Sequence, residues 1–82
     1  MDETADFFND AAVTLASEGF HSEAIACLRR GLRLDPQNSL LWFNLGLSYY
    51  ALNEKNNSRH ALYQAVRCDP FDADIWDTLG VV

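Results

Sequence analysis

Trp42-Phe43-Asn44-Leu45-Gly46 returns further along the chain as Trp76-Asp77-Thr78-Leu79-Gly80, with its tryptophan, leucine and glycine in register. Asp35-Pro36 returns at the same interval as Asp69-Pro70. A fixed self-spacing of this size, about 34 residues, marks an architecture of stacked units, each burying its apolar face against the next. Within the units, apolar residues recur at three, four and seven positions, as on one face of a helix. No useful length of chain alternates as a strand does.

Working outward from those markers, five helices are expected. Phe8, Ala11, Ala12 and Leu15 form one stripe on a helix over about residues 4–18, which Gly19 stops by taking the left-handed cap conformation. Ser22 is the expected N-cap of a second helix carrying Ala24, Ile25, Leu28, Gly31 and Leu32. Asp35-Pro36-Gln37-Asn38 closes it, because proline disfavours helical geometry in the residue before it. A third helix covers about 39–52, and a polar turn follows around 53–57. The fourth, about 57–68, carries Ala61, Leu62, Ala65 and Val66, and a fifth begins near Ala73. Small residues (Ala12, Ala24, Gly31, Gly46, Ser58, Ala65, Gly80) let backbones approach closely, while Phe8, Trp42, Tyr49 and Trp76 are the large partners expected to fill the gaps.

At 82 residues the chain is one small domain whose core is thin for its surface. With 49% apolar and 22% charged residues it has the composition of a folded chain rather than a disordered one. No apolar run approaches the roughly 20 residues that span a bilayer. The acidic start, Met1-Asp2-Glu3, has the wrong sign for a signal or transit peptide. No membrane association and a cytoplasmic location are therefore expected. Cys27 and Cys68 are too few for a disulfide framework; Cys68, opposite Leu34 in the repeat, reads as a small buried thiol. A net charge of −6 argues against nucleic acid. That charge is unevenly spread. All six cations lie between Arg29 and Arg67, and the stretches before Arg29 and after Arg67 carry acids only. Each end of the domain should be electronegative.

On these residues the chain resembles the tetratricopeptide repeat, a helix–turn–helix unit of roughly 34 residues. Trp42, Leu45, Gly46 and Tyr49, then Ser58, Leu62, Ala65 and Pro70, match the family pattern along a second unit at 39–72. A first unit at 5–38 matches at Gly19, Ala24, Leu28 and Pro36. Phe8, Ala11, Ala12 and Leu15 replace the usual Trp, Leu, Gly and Tyr there. A partial third unit at 73–82 supplies Trp76, Leu79 and Gly80. The resemblance implies an all-α, right-handed superhelical stack of antiparallel hairpins, an α-solenoid, forming a single domain. The departure is the missing second helix of the third unit. Either the fifth helix acts as the cap, or its open face pairs with another molecule, or the sequence is a piece of a longer array.

In this family the first helix of each unit lines a concave face that binds partner peptides. The resemblance therefore places Asp6, Asn9, Asp10, Val13 and Ser17 from the first helix on that face. Leu40, Phe43, Asn44, Leu47 and Tyr50 come from the third helix, and Asp74, Asp77, Thr78 and Val81 from the fifth. The third helix carries two apolar stripes, Trp42/Leu45/Gly46/Tyr49 and Leu40/Phe43/Leu47/Tyr50, pointing roughly 130° apart. A helix apolar on two faces must bury both or use one. The second stripe is expected as an apolar floor between acidic walls. Phe43 and Tyr50 should be more open than Leu40 and Leu47, and Asn44 is available to bond an extended backbone. This suits a protein or peptide partner with an apolar anchor beside Lys or Arg. The alternative is a structural module forming a homodimer through Ile75, Trp76, Leu79 and Val82, or through the second stripe itself.

Some tetratricopeptide domains clamp the C-terminal carboxylates of heat-shock chaperones with Lys, Arg and Asn. Here Asn44 matches one clamp place, but the others hold Asn9, Val13, Asp74 and Thr78, and no cation. A chaperone-tail role is not expected. His21 and His60 stand alone, without metal-ligand spacing, and read as surface or turn histidines. No glycine-rich phosphate loop follows a strand, and Cys27 is badly placed to pair with His21 as base. The paired acids Asp6/Asp10 and Asp74/Asp77 read as solvated. No catalytic residue, metal or cofactor is expected, and the chain does not read as an enzyme.

Overall fold

The computed structural model describes residues 3–82; Met1 and Asp2 of the acidic start lie outside the described residues. Five helices follow in order: α1 (Ala5–Ser17), α2 (His21–Leu34), α3 (Ser39–Ala51), α4 (Lys55–Cys68) and α5 (Ala73–Val81). Neighbours in sequence pack as hairpins, α1 on α2 and α3 on α4, and α3 packs also on α2 and α1. α5 makes its extensive contact with α4. The result is an all-α stack of helical repeats.

The turns explain the boundaries. After α1, Gly19 sits at φ +88°. The Phe20 amide donates to the Leu15 carbonyl (2.8 Å) and the Gly19 amide to Ala16 (3.0 Å). These bonds form a Schellman cap, which satisfies carbonyls the helix end leaves open. After α3 the same motif recurs at the repeat interval. Asn53 takes the left-handed position at φ 61°, and the Glu54 and Asn53 amides donate to Tyr49 and Tyr50 at 2.9 Å. Asn tolerates that conformation better than other residues with a Cβ.

This tight closure corrects two sequence expectations. Ser22 is not an N-cap; the cap delivers Phe20 directly to that position, so α2 starts at His21 and Ser22 falls in its first turn. Likewise the polar turn is shorter than 53–57, and α4 starts at Lys55. At the other joints, Asp35 and Asp69 precede proline with extended φ −142°. Asn38 then accepts from the Leu41 amide and Asp72 from the Asp74 amide, capping α3 and α5.

Two apolar clusters hold the stack. The larger joins Ala12, Ala24, Leu28, Leu41, Leu45 and Tyr49 with their neighbours. The smaller joins Ala65, Val66 and Ile75, with Trp42, Phe43 and Leu79 packed on it. Leu41, outside both stripes read from the sequence, is fully buried. At Gly46 α3 and α4 come so close that an added Cβ would lie 2.7 Å from Leu62 Cγ and 3.3 Å from the Ser58 carbonyl. The buried Ser58 hydroxyl donates to the Gly46 carbonyl (2.7 Å). The Arg29 guanidinium donates to the Tyr49 hydroxyl and lies 5.9 Å from its ring centre.

Two further expectations are corrected. Trp76 does not fill a core gap: it is half exposed, because α5 has α4 as its one extensive neighbour. Its indole N–H donates to the Pro70 carbonyl (2.7 Å), as Trp42 donates to Pro36 (2.9 Å). Cys68 is half-buried rather than buried, with Sγ 3.7 Å from the Gln37 side-chain oxygen, and Cys27 is half-buried too; both are free thiols.

The two Trp-x-x-Leu-Gly motifs should respond oppositely to one methyl group. Gly46→Ala is expected to lower stability by about 1–3 kcal/mol, the range for overpacking a filled core. Gly80 has nothing within 4 Å of an added methyl, so Gly80→Ala should be neutral or gain up to about 1 kcal/mol of helix propensity. Urea unfolding of both variants checks the contrast, and equal shifts would refute it.

Candidate functional site

α3 presents apolar side chains around its whole circumference. Leu41, Leu45, Gly46, Ser48 and Tyr49 are buried against the flanking helices. On its other side Leu40 is 52% exposed, Leu47 40% and Tyr50 43%, while Phe43 and Asn44 are half-buried. The expected order of openness fails twice: Tyr50 is less open than Leu40, and Phe43 is less open than either leucine. Phe43 packs on the Ala65–Val66–Ile75 cluster, where α5 joins α4, and Leu40 and Leu47 are the more open.

The expected continuous floor is divided. Between α1 and α3, with α2 beneath, an open pocket of about 200 Å³ is lined by Ala12, Val13, Ala16, Leu28, Asn44, Leu47, Ser48 and His21. Val13, half exposed on α1, faces this pocket with Leu47 of α3. Asn44 is already engaged: its amide donates to the Asn9 side-chain oxygen at 2.6 Å, tying α3 to α1. A carboxamide offers two donor hydrogens and an acceptor oxygen, so this bond leaves each asparagine with further polar capacity.

His21 is the pocket residue that the sequence did not reveal. It was expected on the surface or in a turn, yet it lines the pocket, and its Nδ1 is buried without a hydrogen-bond partner. Leaving a buried polar atom unpaired costs about 1–3 kcal/mol. A partner that supplied a group there would recover some of that cost. Its position follows from the Schellman cap, which starts α2 one residue before Ser22.

The acidic residues stand apart from the pocket. Asp6 and Asp10 on α1, and Asp74 and Asp77 on α5, are all exposed. Of the residues expected at a dimer seam, Ile75 is buried inside the smaller cluster, because it repeats the core position of Leu41. Leu79 and Val82 are half-buried, and only Trp76 of the four is open. Among the described residues no helix is long and apolar enough to cross a membrane, and no three His, Cys, Asp or Glu side chains gather as a metal site.

The geometry agrees with comparisons to known families. A TPR repeat model matches residues 14–53, and a tetratricopeptide repeat model matches residues 40–72. The matches overlap in α3 and together run from α1 to the α4–α5 turn. A search of curated proteins finds no match.

The Asn9–Asn44 bond should be visible as coupling. Asn9→Ala and Asn44→Ala are each expected to destabilise, and the double variant should fall short of the sum by about 0.5–1.5 kcal/mol. A double-mutant cycle by chemical unfolding measures this; strict additivity would show that the two side chains act independently.

Proposed function

The chain belongs to the tetratricopeptide repeat family, whose repeats are generally protein–protein interaction modules, and on that premise we propose that it is an adaptor gripping a partner peptide on the α1–α3 face. The observation that carries this reading is the pocket between α1 and α3, with an apolar rim of Val13 and Leu47. An apolar anchor of the partner enters there, close to the unpaired His21 Nδ1. Asn9 and Asn44 meet the partner's backbone with their remaining hydrogen-bonding groups. Asp6 and Asp10 of α1, and further along the stack Asp74 and Asp77 of α5, give the partner's flanking positions an acidic surround that favours Lys or Arg. Leu40, Phe43 and Tyr50 extend the apolar contact along α3.

The proposal takes residues 5–38, 39–72 and 73–82 as successive units of one domain, working as a scaffold in the cytoplasm rather than as a catalyst. A homodimer is the second reading, and the half-exposed Trp76 favours it. With Ile75 buried, such a seam would rest on Trp76, Leu79 and Val82. Sedimentation across concentrations separates the two, since only the second predicts a mass that rises with concentration and falls for Trp76→Asp.

Peptide display against the immobilised protein tests the first reading without prior choice of a partner. Selected peptides should carry an apolar residue flanked by Lys or Arg. Their affinity should drop at least about tenfold, or ~1.4 kcal/mol, for Leu47→Asp and Val13→Asp with helicity unchanged. Binding that both variants retain would contradict the pocket's role.

A further inference from the structure

Folding sorts the chain's charge by layer. All six Lys and Arg residues lie on α2 (Arg29, Arg30, Arg33) and α4 (Lys55, Arg59, Arg67). Glu23 is the only acid within those two helices, whereas α1, α3 and α5 hold no Lys or Arg and four acids, Asp6, Asp10, Asp74 and Asp77. Read along the sequence this is a basic middle between acidic ends. In the fold it becomes one cationic helix layer and one acidic layer.

The cationic layer contains a groove. α2 and α4 pack on opposite flanks of α3 and make no extensive contact with each other. Between them lies an open depression of about 380 Å³ with Trp42, Leu45 and Tyr49 of α3 as its floor. Arg29 and Arg33 form one wall, and His60 with Asn57 the other. Arg29 is held in place by its bond to the Tyr49 hydroxyl, which uses one of five guanidinium donors. The His60 ring meets Trp42 edge to face at 6.4 Å between centroids. One carboxylate stands close by: Glu54 accepts from the Asn57 side chain at 3.1 Å.

We propose that this outer groove is a second binding site, taking an acidic peptide segment with an aromatic or aliphatic anchor. The anchor rests on the half-buried Trp42, with Leu45 beneath it, and the flanking carboxylates meet Arg29 and Arg33. Charge complementarity selects this occupant, since a basic segment would face the two guanidinium groups. A nucleic acid shares the anionic character, but it would approach a chain of net charge −6 whose cations cover only one layer. The two faces would then accept partners of opposite sign, and the domain could bridge them.

NMR titration of the full chain with acetyl-Glu-Glu-Phe-Glu-Glu-amide tests the site. The Trp42 indole N–H and His60 ring signals should shift, while Val13 and Leu47 methyl signals stay in place. Arg33→Glu should weaken that response roughly fivefold or more. Arg33 is exposed, so this variant should keep the fold. Arg29→Lys, which retains charge but loses the fork that bonds Tyr49, is a second variant expected to weaken it less. A shift in the wild type that survives Arg33→Glu, or no groove shift at millimolar peptide, would overturn the proposal. Equal shifts with sodium phosphate, or with a penta-glutamate lacking phenylalanine, would also overturn it, showing an anion effect without an anchor. The mirror peptide with Lys in place of Glu reads the α1–α3 face separately, so failure there leaves this inference standing, and the reverse.

Discussion

Everything in this fold depends on α3 being packed from two sides at once. On one flank Gly46 lets α3 approach α4 until Leu62 fills the place of a side chain, and the Ser58 hydroxyl closes on the Gly46 carbonyl. On the other, Gly31 of α2 lets Leu41 of α3 and Phe8 of α1 both come within 3.2 Å of the place its Cβ would take. Small residues at both contacts bring the helix axes together, and the large residues around them exclude water. Without that double contact there would be two separate hairpins, each too small to bury its own apolar face.

The constraint also creates the surfaces. A helix flanked by α2 and α4 keeps a third side free, and in α3 that side is apolar, with Leu40, Leu47 and Tyr50 open to solvent. Because α1 covers part of it through the Asn9–Asn44 bond, what remains is a pocket rather than a stripe. On the reverse side, the separation of α2 from α4 leaves a depression over α3, walled by Arg29 and Arg33 of α2 and by Asn57 and His60 of α4. Both depressions are shaped by the same helix, and the charge on the helices flanking them has opposite sign.

Much of the architecture was legible in the chain. The repeated Trp-x-x-Leu-Gly and Asp-Pro pairs located helix order, and the helical stripes located most of the core. What escaped lay in the register between units. Leu41 and Ile75 are one repeat apart and both buried, so the interval that identified the fold also contained the reason Ile75 cannot serve a seam. Gly19 and Asn53 obey the same interval, yet asparagine hid the left-handed turn among other polar residues. The candidate site was less legible. Whether Phe43 or Leu47 faces solvent depends on which neighbouring helix reaches it, and α5 reaches Phe43 through Ile75 and the α4 cluster. The burial of His21 Nδ1 depends on the depth of a pocket built from three helices, and no local pattern encodes that.

The central claim is that packing on α2 and α4 leaves one further apolar side of α3, at Leu40, Leu47 and Tyr50, open to solvent. Methyl relaxation by a soluble paramagnetic probe tests it within a single helix, because four leucines report from known positions. The account predicts strong relaxation at Leu40 and Leu47, and little at Leu41 and Leu45, which are 0% and 4% exposed. Protection of Leu47 equal to that of Leu45 would contradict it, since the open face and the pocket would then not exist.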